Sequence, residues 1–215
     1  FDLLLFGRAV ELQGYALLAL ERMARRGLGA GRARFALERM DAVGDAGETR
    51  PLYEDGRPIP GAAAEPRLPV LDGLPDGPLA LRFTTPLRLR ARHEFLKSPT
   101  FRDLTFAMVR RLLELAHLHL PGALLDWDFR PWLERAAAVR IVGEDLRWHD
   151  WERYSHRQRT RMKLGGLLGT LTVAGDLAPF APLLRTVEVI HVGKSATFGL
   201  GKLELAAAQD SAETT

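Results

Sequence analysis

Hydrophobic and polar positions follow regular patterns in six successive segments of the second half of the chain. Residues 79–91 alternate, with Leu81 and Phe83 on one face and Arg82 on the other, which predicts a strand. Apolar residues at helical spacing predict a long helix that is capped near residues 98–100 and ends near residue 119. Two strands joined as a hairpin are predicted over residues 139–151 and 162–173. A second helix is predicted from residue 176, and a last strand over residues 202–205.

The order strand–helix–strand–strand–helix–strand is that of a ferredoxin-like unit, in which two helices cover one face of an antiparallel sheet. We therefore predict an α+β protein with such a unit over residues 78–206, followed by a frayed tail over 207–215.

The first part of the chain carries a shorter version of the same pattern. A strand is predicted over residues 1–6, a helix over 8–26 and a strand over 34–43. These are the last three elements of a ferredoxin-like unit, so residues 1–48 are predicted to be the C-terminal half of a first unit that is incomplete in this chain. Residues 49–77, crowded with Gly, Pro, Asp and Glu, are predicted to be a connector with at most one short strand.

Composition excludes several classes of protein. The 215 residues are 47% hydrophobic, which is enough to build a core, and contain no cysteine. A disulfide framework, a thiol nucleophile and a cysteine-ligated metal are therefore excluded. No apolar run is long enough to cross a membrane and no signal-peptide pattern opens the chain, which predicts a soluble, cytoplasmic protein.

Positive charge is concentrated in arginine and in one segment. The chain has a net charge of +3 but 26 arginines against four lysines, and arginine matches phosphate geometry and stacks on bases. A GC-rich genome would produce the same bias, so position matters more than number. Residues 147–163 combine six basic side chains with Trp148, Trp151 and Tyr154, a mixture typical of nucleic-acid surfaces. The candidate RNA-binding residues here are Arg153, His156, Arg157, Arg159, Arg161 and Lys163. The alternative is a solvated hairpin whose two tryptophans pack inward.

A second candidate segment, HVGKSATFGLG over residues 191–201, holds three closely spaced glycines after a predicted helix. Such glycines let the backbone approach a ligand and turn its amides toward phosphate. The candidate residues are Gly193, Lys194, Gly199 and Gly201. A nucleotide-binding P-loop would need a glycine at the position of Glu188 and a strand before the loop, so nucleoside triphosphate binding is rejected.

The segment HVGKSATFGLGKLEL resembles the C-terminal glycine-rich signature of the CRISPR repeat-cleaving endoribonucleases, the sixth Cas protein family. Gly193, Gly199 and Gly201 match that signature, and His191 stands where its first glycine usually lies. The stretch WERYSHRQ, followed by MKLGGLLG, and the opening LLFGRAVELQGYALLALERMARRGLGAGRARF also resemble the branch of this family with a fused C-terminal domain.

The resemblance implies a ribonuclease that needs no metal or other cofactor and cuts precursor CRISPR RNA at the base of the repeat stem. In that chemistry the 2′-hydroxyl attacks the adjacent phosphate and leaves a 2′,3′-cyclic phosphate. A base, an acid and a cation on the phosphate are needed. The family's catalytic histidine usually precedes the part of the fold seen here, so no catalytic residue is assigned, and His191 and His156 are the candidates within this chain. Repeat RNA is the expected partner, with other Cas effector subunits as further possible partners.

Two other functions fit parts of the sequence. A non-catalytic subunit that holds CRISPR RNA in an effector complex would share every feature except an active site. A ferredoxin-like domain that binds a small molecule would leave the basic hairpin unexplained. The face formed by Arg82, Arg88, Arg90 and Arg92 is interpreted as the solvated side of an edge strand rather than as a track for RNA.

Overall fold

The chain divides into two compact units, residues 1–69 and residues 70–215. The structure is a computed structural model, and its described parts are residues 1–29, 31–44, 47–66, 71–120, 122, 127–155 and 160–208. No helix among these residues is both long enough and apolar enough to cross a membrane.

The first unit contains one helix and a small antiparallel sheet. A 3₁₀ turn over Gly7–Leu12 leads into helix α1, Gln13–Arg26. Strands β1 (Arg39–Val43), β2 (Thr49–Glu54) and β3 (Arg57–Pro58) pair in that order.

Two details of the first unit differ from the pattern in the sequence. The strand predicted over residues 1–6 is wrong, because these residues form no strand and the first four are exposed. An apolar run becomes a strand only where a neighbour accepts its backbone hydrogen bonds, and no described strand pairs with it. The predicted strand over 34–43 is shorter than expected, and β2 and β3 lie in the predicted connector.

The second unit contains eight strands and three helices in its described part. In chain order they are β4 (Leu79–Leu87), β5 (Arg90–Ala91), β6 (Glu94–Phe95), α2 (Phe101–His119), α3 (Arg130–Ala138), β7 (Arg140–His149), β8 (Glu152–Ser155), β9 (Thr160–Lys163), β10 (Gly166–Ala174), α4 (Ala181–Ile190) and β11 (Leu203–Ala207).

Four of these strands form the central sheet, in the order β11-β4-β10-β7. Every neighbouring pair is antiparallel. Numbered by their place in the unit, the strands lie in the order fourth, first, third, second, with α2 after the first strand and α4 after the third. This is the ferredoxin-like arrangement, and the predicted fold class is confirmed.

The core lies between the sheet and helices α2 and α4. Leu81 on β4 and Leu171 on β10 are fully buried, as are Leu104 on α2 and Leu184 on α4. Thr100 starts α2 with a capping box, in which its side chain accepts a hydrogen bond from the Asp103 amide and its own amide donates to the Asp103 carboxylate. The cap predicted near residues 98–100 therefore lies at Thr100.

Helix α3 lies between residues 119 and 139, where the sequence pattern predicts no element. Pro131 occupies its first turn, where a missing amide hydrogen costs nothing, and good helix formers follow. The helix packs against α2. Trp132 on α3 also meets the buried Phe180 edge to face, with ring centroids 5.6 Å apart.

Candidate nucleic-acid interface

The glycine-rich loop over residues 191–201 connects α4 to β11 and folds back on itself. The Val192 amide donates to the Gly201 carbonyl at 3.0 Å, and the Gly201 amide donates to the Pro86 carbonyl of β4 at 3.1 Å. The Lys194 amide donates to the Arg88 carbonyl at 2.9 Å. The loop is therefore held by backbone hydrogen bonds along the C-terminal end of β4.

These hydrogen bonds correct one expectation about the loop. The glycines were expected to turn backbone amides outward toward phosphate. Instead, several amides are engaged within the protein, namely those of Val192, Lys194, Phe198, Gly199 and Gly201. These amides therefore fix the shape of the loop and are not offered to a ligand.

Each glycine of the signature has positive φ, but the space around them differs. A Cβ at Gly193 would lie 2.7 Å from the Arg88 carbonyl oxygen, and one at Gly201 would collide with the Val192 carbonyl oxygen. Gly199, with φ of 80°, has nothing within 4 Å of that position. Gly193 and Gly201 are thus required by close backbone contacts, whereas Gly199 is required only by its left-handed backbone.

A cleft of about 560 Å³ opens between this loop, the β5–β6 hairpin and one face of α2. Most of the charged side chains that line it are basic. Its described basic residues are Arg88, Arg90, Arg92, Arg110, Arg111 and Lys194, and its acidic residues are Asp103 and Glu114. An excess of positive charge in a concave surface concentrates field lines and attracts polyanions.

Arg88 is the least exposed of the basic residues that line the cleft. Its side chain is on the face that the sequence pattern assigned to solvent, yet the residue is only 8% exposed. Nη1 donates to the Lys163 carbonyl at 2.8 Å, and the guanidinium lies 4.6 Å from the centre of the Phe95 ring. Its Nε is buried and has no hydrogen-bond partner among the described residues. Burial lowers the pKa of Arg88, because the charged form loses water and no carboxylate in the described part of the chain compensates for it.

Two other arginines of the cleft are held in place by the fold. Arg111 on α2 donates to the Ile190 carbonyl, the last of α4, at 3.2 Å and so fixes the point at which the glycine-rich loop begins. Burial lowers the pKa of Arg111. Arg90 donates from Nε to the His93 carbonyl at 2.8 Å, which closes the β5–β6 turn.

The basic segment, residues 147–163, contains a two-stranded ribbon that is separate from the central sheet. Strands β8 and β9 pair antiparallel, with Glu152 opposite Lys163. Arg161 and Lys163 are exposed, and Arg161 forms a 3.7 Å ion pair with Glu152. The predicted tip residues His156, Arg157 and Arg159 lie outside the described residues.

Of the hairpin aromatics, Trp148 has a structural role. Its indole donates to the Asp150 carboxylate at 2.9 Å and its ring lies 6.1 Å from that of Phe95. Trp151, 41% exposed, and Tyr154, 50% exposed, remain on the surface. Phe95 thus contacts both Arg88 and Trp148, which joins the base of the hairpin to a residue that lines the cleft.

The predicted site residues are therefore only partly brought together. Gly193 and Lys194 line the cleft, whereas Arg161 and Lys163 are not among its described lining residues. The candidate His191 is 9% exposed, at the end of α4 with φ of 61°, so its ring is held in the interior.

Sequence reasoning missed the contribution of α2. Asp103, Phe106, Ala107, Arg110, Arg111 and Glu114 all line the cleft. They recur at intervals of three and four residues, so they form one stripe of the helix. The pair Arg110–Arg111 was a visible signal, but nothing in its own segment indicates that the glycine-rich loop, more than eighty residues later, faces it.

Fold and cleft together define a ferredoxin-like protein with a cation-lined site, and the sequence comparisons agree. The family model for the CRISPR-associated endoribonuclease Cas6 matches residues 81–203, more than half of the chain. The chain therefore belongs to the Cas6 family. A second family model, described only as an N-terminal domain, matches residues 1–66. No curated protein matches the chain.

Solved Cas6 structures resemble the chain in fold at low sequence identity. Thermus thermophilus Cas6 (TTHB231) is 17% identical with a TM-score of 0.45, over 60% of this chain and 53% of that one. The Cas6 (TTHA0078) product complex is 19% identical with a TM-score of 0.43, over 60% of this chain and 51% of that one. The chain thus spans about half the length of these two structures.

A third structure covers more of the chain. The Cas6 (TTHB231) product complex matches 88% of this chain and 70% of that one, with 17% identity and a TM-score of 0.54. This likeness agrees with the ferredoxin-like fold read from the strand order.

The different surroundings of the glycines predict different costs of substitution. Gly201→Ala should lower the free energy of unfolding by much more than Gly199→Ala does. Gly199→Ala should lower it by only about 1–2 kcal/mol, because alanine must adopt a left-handed backbone there. Urea unfolding followed by tryptophan fluorescence measures this in the second unit, because all four tryptophans lie there. Equal losses for the two variants would contradict the role given to the Val192–Gly201 contact.

Proposed function

We propose that this protein is an endoribonuclease that binds the repeat of precursor CRISPR RNA and cleaves it without a metal ion, by attack of the 2′-hydroxyl on the adjacent phosphate. The observation that carries the proposal is the cation-lined cleft, to which Arg88 contributes a largely buried residue whose guanidinium meets no carboxylate among the described residues. This cleft belongs to the part of the chain that matches the Cas6 family model.

The chemistry of the site supports a phosphate ligand. Arginine presents a planar fork of donors that matches phosphate oxygens, and a buried guanidinium without a carboxylate gains more from an anion than an exposed one does. Lys194 adds a point charge at the rim, from a loop whose backbone is fixed on β4. The cleft therefore binds the RNA backbone and orients it.

Binding and catalysis are assigned to different groups. Strand cleavage needs a base near the 2′-oxygen and an acid near the leaving oxygen. The ring of His191 is held in the interior, so we give His191 no part in either transfer. The residues of the cleft supply positive charge for the phosphates, and the cleavage products are a 2′,3′-cyclic phosphate and a 5′-hydroxyl.

The basic hairpin within residues 147–163 is a second region that contacts RNA in this proposal. Arg153, Arg157, Arg159, Arg161 and Lys163 belong to one short segment, and neutralising phosphates with such side chains gives salt-dependent affinity. The Lys163 carbonyl accepts a hydrogen bond from Arg88, so the described end of this segment contacts a residue that lines the cleft. One RNA hairpin would contact both regions.

Removing charge from the rim of the cleft should weaken RNA binding. The double variant Arg90→Ala, Lys194→Ala should bind repeat RNA less tightly, and the slope of log affinity against log salt should fall by roughly one per lost phosphate contact. Fluorescence anisotropy at several salt concentrations measures both. The matched control is Arg102→Ala, an exposed arginine on α2 that is not among the lining residues. If the control lost as much affinity as the double variant, net charge rather than the cleft would explain binding.

Removing charge from the hairpin should have a separate effect. Arg157→Ala combined with Arg159→Ala should weaken binding of the stem-containing repeat and reduce its salt dependence by roughly one per lost contact. A single-stranded RNA of the same length should be affected less, because the stem places more phosphates along the hairpin. Unchanged affinity for both RNAs at low and moderate salt would remove the hairpin from the interface.

Cleavage of labelled repeat RNA by the protein should be the same with EDTA as without it, and its product should carry a cyclic phosphate. The measurement is gel analysis of the fragments and of their termini. Activity that is lost in EDTA and returns with magnesium would refute the mechanism. Tight binding without cleavage under every condition would instead favour a non-catalytic subunit that holds CRISPR RNA among other Cas proteins.

A further inference from the structure

An aromatic cluster reaches from the core of the second unit to the wall of the cleft. The Phe180 ring, in the core, lies 5.6 Å from Trp132, which lies 5.3 Å from Trp127. Trp127 contacts Phe129 at 6.4 Å, and Phe129 contacts Phe106 at 6.4 Å. The cluster therefore ends at Phe106, which is 46% exposed.

Phe106 differs from an ordinary exposed apolar side chain in its position. A single phenylalanine on a surface needs no explanation. Phe106, however, lines the cation-rich cleft, where a charged or polar side chain would be better hydrated than a phenyl ring. Its contact with Phe129, at an interplanar angle of 54°, supports the ring from one side and leaves part of it open.

The neighbours of Phe106 on α2 set a direction along the cleft. Asp103 lies one turn before Phe106 and Arg110 one turn after it, on the same stripe of the helix. A phosphate is repelled by Asp103 and attracted by Arg110. A nucleotide that enters this part of the cleft therefore places its phosphate beside Arg110 and its base over Phe106.

Arg110 is able to take up a phosphate. It forms a 2.7 Å ion pair with Glu114, but the two side chains are 62% and 51% exposed. Exposed pairs of this kind contribute little to stability, so a phosphate can compete for Arg110 with the carboxylate of Glu114, which also lines the cleft. Arg90, on the opposite wall of the cleft, is also exposed.

We infer that Phe106 is a stacking platform for an unpaired nucleobase of the bound RNA, with the adjoining phosphate held by Arg110 and Arg90. The inference rests on the proposed function, and it adds a preference: this part of the cleft takes single-stranded rather than paired RNA. A base inside a duplex is already stacked on both faces, whereas an unpaired base gains about 1–3 kcal/mol on an aromatic ring.

The test compares two probes that carry the same phosphates, a short oligoadenylate and the matching oligomer with abasic sites. Phe106→Leu removes the ring but keeps an apolar side chain, and Phe106→Tyr keeps the ring. We expect Phe106→Leu to bind oligoadenylate about tenfold more weakly and the abasic oligomer as the parent does. Phe106→Tyr should retain the affinity of the parent.

Each outcome separates stacking from other roles. Equal weakening for both probes would mean that the ring only supports the helix, and no weakening for either would mean that no base stacks there. Both results overturn the inference but leave the proposed function intact. If Arg90→Ala combined with Lys194→Ala also changed neither probe, the RNA-binding function of the cleft would fail as well.

Discussion

The close contact between the glycine-rich loop and the end of β4 is the constraint on which the site depends. Backbone hydrogen bonds from Lys194 to Arg88 and from Gly201 to Pro86 hold these two segments close together. They leave no room for a side chain at Gly193 or Gly201. The same contact covers the start of the segment that follows β4. Arg88 is thereby enclosed and lines the cleft rather than a solvated strand face.

Arg88 is an enclosed cation with no carboxylate beside it among the described residues, so the free-energy cost of burying its charge is not offset by an ion pair. Removal of water from a cation is costly unless another group replaces it, and among the described residues Arg88 meets the Lys163 carbonyl and the face of Phe95. An anion near its guanidinium would restore what burial has removed. Because folding has already placed these charges, a ligand would not have to arrange them, which is preorganisation in the usual sense.

Much of the fold could be predicted because its patterns are local. The alternation from Leu79, the spacing of the α2 and α4 residues and the cap near Thr100 all depend on neighbours in sequence. Features that depend on distant partners were missed. Residues 1–6 have strand-like composition but pair with none of the described strands, and Arg88 alternates as a surface residue but is covered by a loop from the other end of the unit. The cleft itself joins three segments, so only the glycine-rich wall could be recognised in advance.

The engaged amides of the loop have a consequence for how specificity arises. A loop that offered free backbone amides would bind any phosphate in the same way, but here Val192, Lys194 and Gly201 spend theirs on the protein. In the proposed complex, recognition would fall to side chains on α2 and on the β5–β6 hairpin, which line the cleft. These side chains can change without disturbing the backbone contact beneath them. The need for glycine at Gly193 and Gly201 is thus physically separate from the charges and rings of the cleft.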